Sequence, residues 1–168
     1  MSLLLLAACA PASARPAGVA ACADPVLAAH VVRSGSVMSQ PFLTIALRNT
    51  GTRRCVLDGY AVVRAEGHAG WRQDRPRRLR IRVADRSTYE VRDPGPRPVS
   101  LAPGASARFT VGTATAYQGG AHVWTISRLR IGTGSGSYVD LAVELLASAP
   151  VGQPIPVDVT AFTAASRR

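Results

Sequence analysis

Apolar and polar residues alternate with period two along most of the chain after Ala23. In residues 42–49, for example, Leu43, Ile45 and Leu47 fall on one face, and the polar or small residues between them fall on the other. This alternation is typical of a β-strand with one buried face. A helical period is nearly absent, so the pattern predicts an all-β fold.

Further alternating runs are bounded by Gly, Pro, Asn or Asp, which are turn-forming residues. Pro103-Gly104 is a turn sequence, and residues 132–137 predict a hairpin loop, because the glycine spacing and the following strand do not fit a phosphate-binding loop. Eight or nine short strands without helices predict an immunoglobulin-like antiparallel β-sandwich. Beyond residues 42–49, we predict strands at residues 55–63 with a break or bulge at Gly59, 79–83, 88–91, 99–101, 107–111, 127–131, 138–145 and 155–162.

Composition narrows the function classes. The chain has 168 residues, which suits a single domain, and its 20 basic residues, all arginine, against 10 acidic ones leave a net charge of +10. The absence of lysine excludes Schiff-base catalysis and a phosphate-binding loop of the G-x-x-x-x-G-K type. His30, His68 and His122 lack ligand spacing, so we expect no metal site and no cofactor.

The N-terminal tetrad Leu6-Ala7-Ala8-Cys9 resembles the lipobox of bacterial lipoproteins. The resemblance implies that Cys9 carries a lipid anchor at the outer face of the cell membrane. Residues 1–8 are then the remnant of a signal peptide, and residues 9–21 form a lipidated tether. A signal peptide has a basic start and 7–15 apolar residues, so we expect the natural start to lie upstream of Met1.

Two further cysteines remain if Cys9 is lipidated. Cys22 and Cys55 make an even number in an exported chain, so a disulfide between them is the natural pairing. It would close a loop of about 34 residues and contribute roughly 3 to 4 kcal/mol. We expect residues 22–168 to form one sandwich domain.

Several short motifs follow one another along the chain. They are Cys22 before an apolar strand, Leu43-x-Ile-x-Leu-Arg-Asn49-Thr-Gly, Cys55-x-Leu-x-Gly59-Tyr60, Val99-x-Leu-x-Pro103-Gly104-x-x-Ala107, and a last alternating strand. Together they resemble a family of actinobacterial secreted proteins and lipoproteins, the domain of unknown function four-two-three-two. The resemblance spans residues 21 to 163 and implies a β-sandwich, an envelope location and a Cys22–Cys55 bridge, but no activity.

Residues 72–82 contain six arginines and are richer in arginine than the family pattern. Residues 78–83 alternate, so in a strand Arg78, Arg80 and Arg82 would project from one face at intervals of about 7 Å, while Leu79, Ile81 and Val83 would anchor the other. Guanidinium groups suit phosphate, sulfate and carboxylate, and Trp71 or Tyr89 could provide a flat neighbour. The candidate anion-contacting residues are Trp71, Arg72, Arg75, Arg77, Arg78, Arg80 and Arg82.

These features predict a non-catalytic envelope lipoprotein, a monomer with a binding or structural role. Its arginine-rich strand would contact anionic wall polymers or lipid headgroups, or serve as an arginine-rich solvated face. A module that binds a surface protein and a small secreted hydrolase are the alternatives. We expect no nucleic-acid partner, because no nucleic-acid-binding motif occurs.

Overall fold

The chain folds as an all-β protein in a computed structural model that describes residues 18–22, 26–70, 75–115, 121–134 and 136–165. Within these ranges there are twelve strands, and no helix there has the length and apolar character that a membrane crossing requires. The strands are β1 Leu27–Val37, β2 Gln40–Asn49, β3 Cys55–Leu57, β4 Val62–Ala69, β5 Arg77–Arg78, β6 Ile81–Asp85, β7 Val99–Leu101, β8 Ser106–Gly112, β9 Ala121–Gly132, β10 Tyr138–Pro150, β11 Ile155–Val159 and β12 Thr163–Ala164.

Two main sheets enclose one hydrophobic core. The six-stranded sheet has the order β1-β2-β8-β11-β6, with β12 also paired to β8, and the four-stranded sheet has the order β10-β9-β4-β5. Core residues from both sheets, such as Ile45 and Leu129, are fully buried. Phe109 and Phe162 meet edge to face, with ring centroids 5.5 Å apart. The predicted β-sandwich is confirmed, although β6 and β11 pair in parallel.

The strand count exceeds eight or nine partly because one predicted strand divides between two sheets. Residues 55–63 split into β3, which pairs with β7, and the start of β4, which pairs with β9. The division falls at Gly59, whose φ of 72° lies in the left-handed region that favours glycine. A short two-stranded sheet of β3 and β7 therefore closes part of the sandwich.

The strand predicted at residues 88–91 is wrong. These residues belong to a segment from 86 to 98 that contains no strand, which we call the strap. Thr88 accepts a hydrogen bond from Val91 N at 3.0 Å through its hydroxyl, and its own N–H donates to Val91 O at 3.0 Å. The resulting turn bends the chain across the outer face of the six-stranded sheet, where Thr88 packs against Gly112.

The disulfide joins Cys22 and Cys55, as the sequence predicts. Both cysteines are buried, and residues 20–22 run beside β3. Cys22 N donates to Val56 O at 2.9 Å, and Val56 N donates to Ala20 O at 3.0 Å. The bridge therefore fastens the chain that precedes β1 to the start of β3. Met1 to Ala8 and Cys9 lie outside the described residues.

The motif Arg-Asn-Thr-Gly has a structural role. Asn49 is fully buried, and its side-chain amide donates to Arg53 O at 2.8 Å and to Leu101 O at 3.1 Å. Its side-chain oxygen accepts the N–H of Gly51 at 2.9 Å. One side chain thus joins the β2–β3 turn to the end of β7, which explains why an asparagine precedes this turn.

Tyr60, the last residue of the Cys-x-Leu-x-Gly-Tyr motif, anchors the strap. Its hydroxyl donates to Asp93 Oδ2 at 2.6 Å, and Ala161 N donates to Asp93 Oδ1 at 2.8 Å. The hydrogen bond to Asp93, together with burial and the negative charge, raises the pKa of Tyr60 to about 12. Burial works to raise the pKa of Asp93, but the hydrogen bonds from Tyr60 and backbone N–H groups lower it overall.

Because of the hydrogen bond between Tyr60 and Asp93, we expect the stability of the fold to fall in two pH ranges. Asp93 has a lowered pKa when folded, so its contribution is complete above the unfolded pKa of about 4 and is lost as pH falls through the folded pKa. Tyr60 has a raised pKa, so its contribution is complete below the unfolded value of about 10 and is lost as pH rises towards 12. Tyr60→Phe should remove this alkaline component and lower the free energy of unfolding at neutral pH by about 1.5–3 kcal/mol.

The measurement is urea unfolding from acid to alkaline pH, with Tyr89→Phe as the matched control. Tyr89 is 58% exposed, and its hydroxyl donates a hydrogen bond to Met38 Sδ at 2.9 Å rather than to a carboxylate. If both variants show the same alkaline loss of stability as the natural chain, the hydrogen bond between Tyr60 and Asp93 does not have the expected effect.

Candidate functional site: an arginine-rich sheet crossover

The arginine-rich segment lies where the chain crosses from one main sheet to the other. β5 pairs with β4, so that Arg78 lies opposite Glu66, whereas β6 pairs with β11, so that Ile81 lies opposite Ile155. Leu79 N donates to Ala65 O at 2.9 Å, and Arg80 O accepts from Ile155 N at 2.9 Å. Residues 79–80 therefore bridge the two sheets, and we call residues 77–82 the crossover.

The predicted stripe of Arg78, Arg80 and Arg82 along one strand is wrong. Because β5 and β6 belong to different sheets, these side chains do not share one strand face. Leu79 is buried and Ile81 packs against the core, as expected, but Val83 is 36% exposed because β6 is an edge strand. The arginines instead lie along the segment of backbone that connects the two sheets.

On one side of the crossover lies a cleft of about 310 Å³. Trp124, from β9, forms part of its wall, and the guanidinium carbon of Arg77 lies 5.4 Å from the centre of its ring. This is a cation–π distance, and it holds a charged group beside an aromatic surface. We call this the tryptophan cleft; the residues that line it are Arg77, Arg78, Leu79, Arg80, Trp124, Gly152, Gln153 and Ile155.

On the other side lies a second cleft, of about 600 Å³. Arg78 and Arg80 line it as well, and Arg64 from β4 adds a third guanidinium group. Apolar residues such as Val63, Ile81 and Pro154 form the rest of the lining. None of the described residues that line either cleft is acidic.

The crossover arginines are exposed and have no carboxylate partner among the described residues. None of the ion pairs in these parts of the chain involves Arg77, Arg78, Arg80 or Arg82. Glu66, opposite Arg78 in the β4–β5 ladder, pairs instead with Arg128 at 3.4 Å. Among the described residues, the positive charge of the crossover is therefore not compensated by an ion-paired carboxylate.

The other predicted site residues fall into three groups. Arg75 and Arg82 are exposed and line neither cleft. Trp71 and Arg72 lie outside the described residues. Tyr89, considered as a flat neighbour, lies instead on the strap, against Met38. The clefts bring together Arg77, Arg78 and Arg80 of the predicted set.

Sequence reasoning missed Trp124, Gln153 and Arg64. Trp124 lies on the part of β9 that precedes the predicted strand 127–131, and only its register with Ala69 of β4 brings it near Arg77. Arg64 alternates with buried Val63 and Ala65, a signal that marks it as outward facing. The sequence pattern does not connect Trp124 or Arg64 to the crossover, because that connection requires knowledge of which strands are neighbours in the sheet.

The clefts combine arginine guanidinium groups with the ring of Trp124 and the side-chain amide of Gln153. Guanidinium groups bind phosphate, sulfate or carboxylate oxygens through paired hydrogen bonds, and the half-buried ring of Trp124 offers an aromatic surface for a sugar ring or another flat group. In the described residues there is no cluster of three or more His, Cys, Asp or Glu side chains that could hold a metal ion. The side chains that line the clefts are therefore of the kinds that anion binding requires.

A comparison with protein-family models matches residues 22–163 to the family described as Domain of unknown function (DUF4232). No curated protein and no solved structure matches the chain.

Proposed function

The chain belongs to the DUF4232 family, and we propose that it is a non-catalytic binding domain of the cell envelope that contacts anionic polymers through the crossover. The observation that carries this function is the convergence of Arg77, Arg78 and Arg80 on the tryptophan cleft. Arg78 and Arg80 also line the second cleft, and no described residue that lines either cleft is acidic. Exposed arginines grouped at a concave surface raise the local concentration of anions.

The position of the tryptophan cleft favours a polymer over the lipid surface next to the anchor. Thr133 Oγ1 donates to Cys22 O at 2.6 Å, so the chain enters the domain beside the β9–β10 hairpin loop. Trp124 lies eight residues from Gly132 along β9, or roughly 25 Å at 3.3 Å per residue. The tryptophan cleft thus lies towards the opposite end of the sheet from the N-terminal entry.

An exported location is consistent with the Cys22–Cys55 disulfide, because disulfides persist in oxidising compartments. With Cys9 lipidated at the outer face of the cell membrane, the domain would sit among anionic wall polymers. Phosphate-rich polymers fit the crossover best, since successive phosphates can occupy both clefts at once. A monomer is sufficient for this function.

The test is calorimetric titration of the full chain with inorganic polyphosphate over a range of salt concentrations. The triple variant Arg77→Gln/Arg78→Gln/Arg80→Gln should bind at least about tenfold more weakly. Its slope of log affinity against log salt should fall by about one for each arginine that contacts phosphate.

The matched control is Arg53→Gln/Arg54→Gln/Arg97→Gln, which removes the same charge from exposed positions that line neither cleft. Equal losses in both variants would mean that net charge alone drives binding. Salt-insensitive binding, or binding to vesicles with anionic lipids but not to polyphosphate, would also overturn the function proposed for the crossover.

A further inference from the structure

A separate cavity lies under the strap, on the outer face of the six-stranded sheet, and has a volume of about 630 Å³. Strap residues Val91, Arg92 and Pro94 form one wall, and side chains from β1, β2 and β8 form the opposite wall. None of the described residues that line it is acidic; they include three arginines and four threonines. We call it the strap cavity.

Arg108 on β8 provides the most specific sign of a ligand. Its Nε is buried and has no hydrogen-bond partner among the described residues. Buried N–H groups in folded proteins are nearly always hydrogen-bonded, and a charged donor without a partner carries a large desolvation cost. An anionic acceptor in the strap cavity would satisfy this donor and offset its charge.

The threonines add hydroxyl donors to the same surface. Thr160 Oγ1 accepts the N–H of Thr110 at 2.9 Å, and its own proton has no acceptor among the described residues. Thr44 and Thr110 share one hydrogen bond between their hydroxyls at 3.1 Å, which leaves the other proton of the pair free to donate. Donors therefore outnumber acceptors in the side-chain lining.

The two carboxylates of the strap do not line the strap cavity, and each already binds another residue. Glu90 binds Arg33 at 2.6 Å, which fastens the strap to β1. Asp93 accepts hydrogen bonds from Tyr60 and Ala161, which fastens the strap on its other side. Both strap carboxylates thus hold the strap in place, and Arg92 is exposed without an ion pair among the described residues.

We infer that the strap cavity is a binding site for a phosphate or sulfate group. Arg108 Nε and the free threonine hydroxyls would contact the oxyanion, and Arg92 would contribute charge from the strap wall. The cavity is larger than a bare phosphate, so the ligand class is a phosphomonoester or sulfate ester on a small polar molecule such as a sugar. This site is independent of the crossover, which lies elsewhere on the sandwich.

The experiment is a two-dimensional amide NMR titration of the full chain with inorganic phosphate and, separately, with a sugar phosphate, against chloride at matched ionic strength. Amide shifts should concentrate at residues 91–93, 108–110 and 160. Arg108→Gln should weaken phosphate binding by about tenfold or more. Arg92→Gln, at an exposed position that should not affect folding, should weaken it by a smaller factor. Tighter binding of the sugar phosphate would identify an ester as the preferred form.

Two controls separate this site from the crossover. Arg128→Gln removes an exposed arginine of the other sheet and should leave phosphate binding unchanged. The triple crossover variant should likewise keep the shifts at residues 108–110 even if polyphosphate binding is lost. Shifts confined to residues 77–80, equal affinity in folded Arg108→Gln, or responses identical to those with chloride would each overturn the strap-cavity site.

Discussion

Replacement of both Cys22 and Cys55 by alanine should lower the free energy of unfolding by about 3–5 kcal/mol. The two cysteines are 33 residues apart in sequence, and a loop of this length contributes roughly 3 to 4 kcal/mol in the chain-entropy model. Both side chains are also buried in the core, so their truncation loses packing contacts as well.

Thermal and urea unfolding measure this loss, with the oxidised and the reduced natural chain as a second comparison. The reduced chain should lose most of the same free energy, because its cysteines keep their packing but no longer constrain the unfolded chain. A fall in Tm of about 10 to 15 °C is expected for a domain of this size. A loss below about 1 kcal/mol in both comparisons would mean that the bridge adds little to the stability of the fold.

The alternation of apolar and polar residues is sufficient to predict the fold class and the middle of most strands. It reports which face of a strand is buried but not which strand lies beside it. This is why the pattern predicts one strand at residues 79–83: Leu79 and Ile81 both face the core, yet they pack from different sheets. The alternation continues across the crossover because both sheets enclose the same core.

Register irregularities explain the missed part of β9. Ile126 and Leu129 are both fully buried although they are three residues apart, because the register between β4 and β9 shifts between Glu66 and Gly67 and adds Ser127 to β9. A β-bulge of this kind reverses the phase of the alternation. The sequence pattern therefore predicts residues 127–131 but not the stretch that carries Trp124.

The strap cavity depends on contacts between residues distant in sequence. Ala46 shares with Thr44 the face of β2 that the alternation predicts to be solvated, yet Ala46 is only 2% exposed. Segments on the outer face can bury such small residues, and here the strap crosses that face through Glu90, Asp93 and Thr88. The local concentration of arginine in the sequence is sufficient to identify the crossover arginines as candidates. The burial of Arg108 Nε can be recognised only from the folded structure.

The bulge in β9 also predicts the effect of Gly67→Ala. This substitution should lower the free energy of unfolding by about 3 kcal/mol or more, because the added Cβ would press against backbone atoms rather than against a movable side chain. A Cβ at Gly67 would lie 2.0 Å from Thr125 O and 3.0 Å from Ile126 Cα. To relieve this contact, β4 and β9 would have to separate where they pair. Since Gly67 also pairs with Arg77, the variant should disturb the wall of the tryptophan cleft.

Urea unfolding, followed by tryptophan fluorescence, checks both effects, and Gly70→Ala, at the residue that follows β4, is the control. Gly70 has a φ of 58°, and an alanine Cβ at this position would meet no described atom within 4 Å, so its substitution should cost only the roughly 1–2 kcal/mol of a left-handed alanine. If Gly67→Ala costs no more than Gly70→Ala, the two strands do not approach as closely as the bulge requires. A larger loss in Gly67→Ala, with weakened polyphosphate binding in the folded fraction, would connect the bulge in β9 directly to the geometry of the crossover.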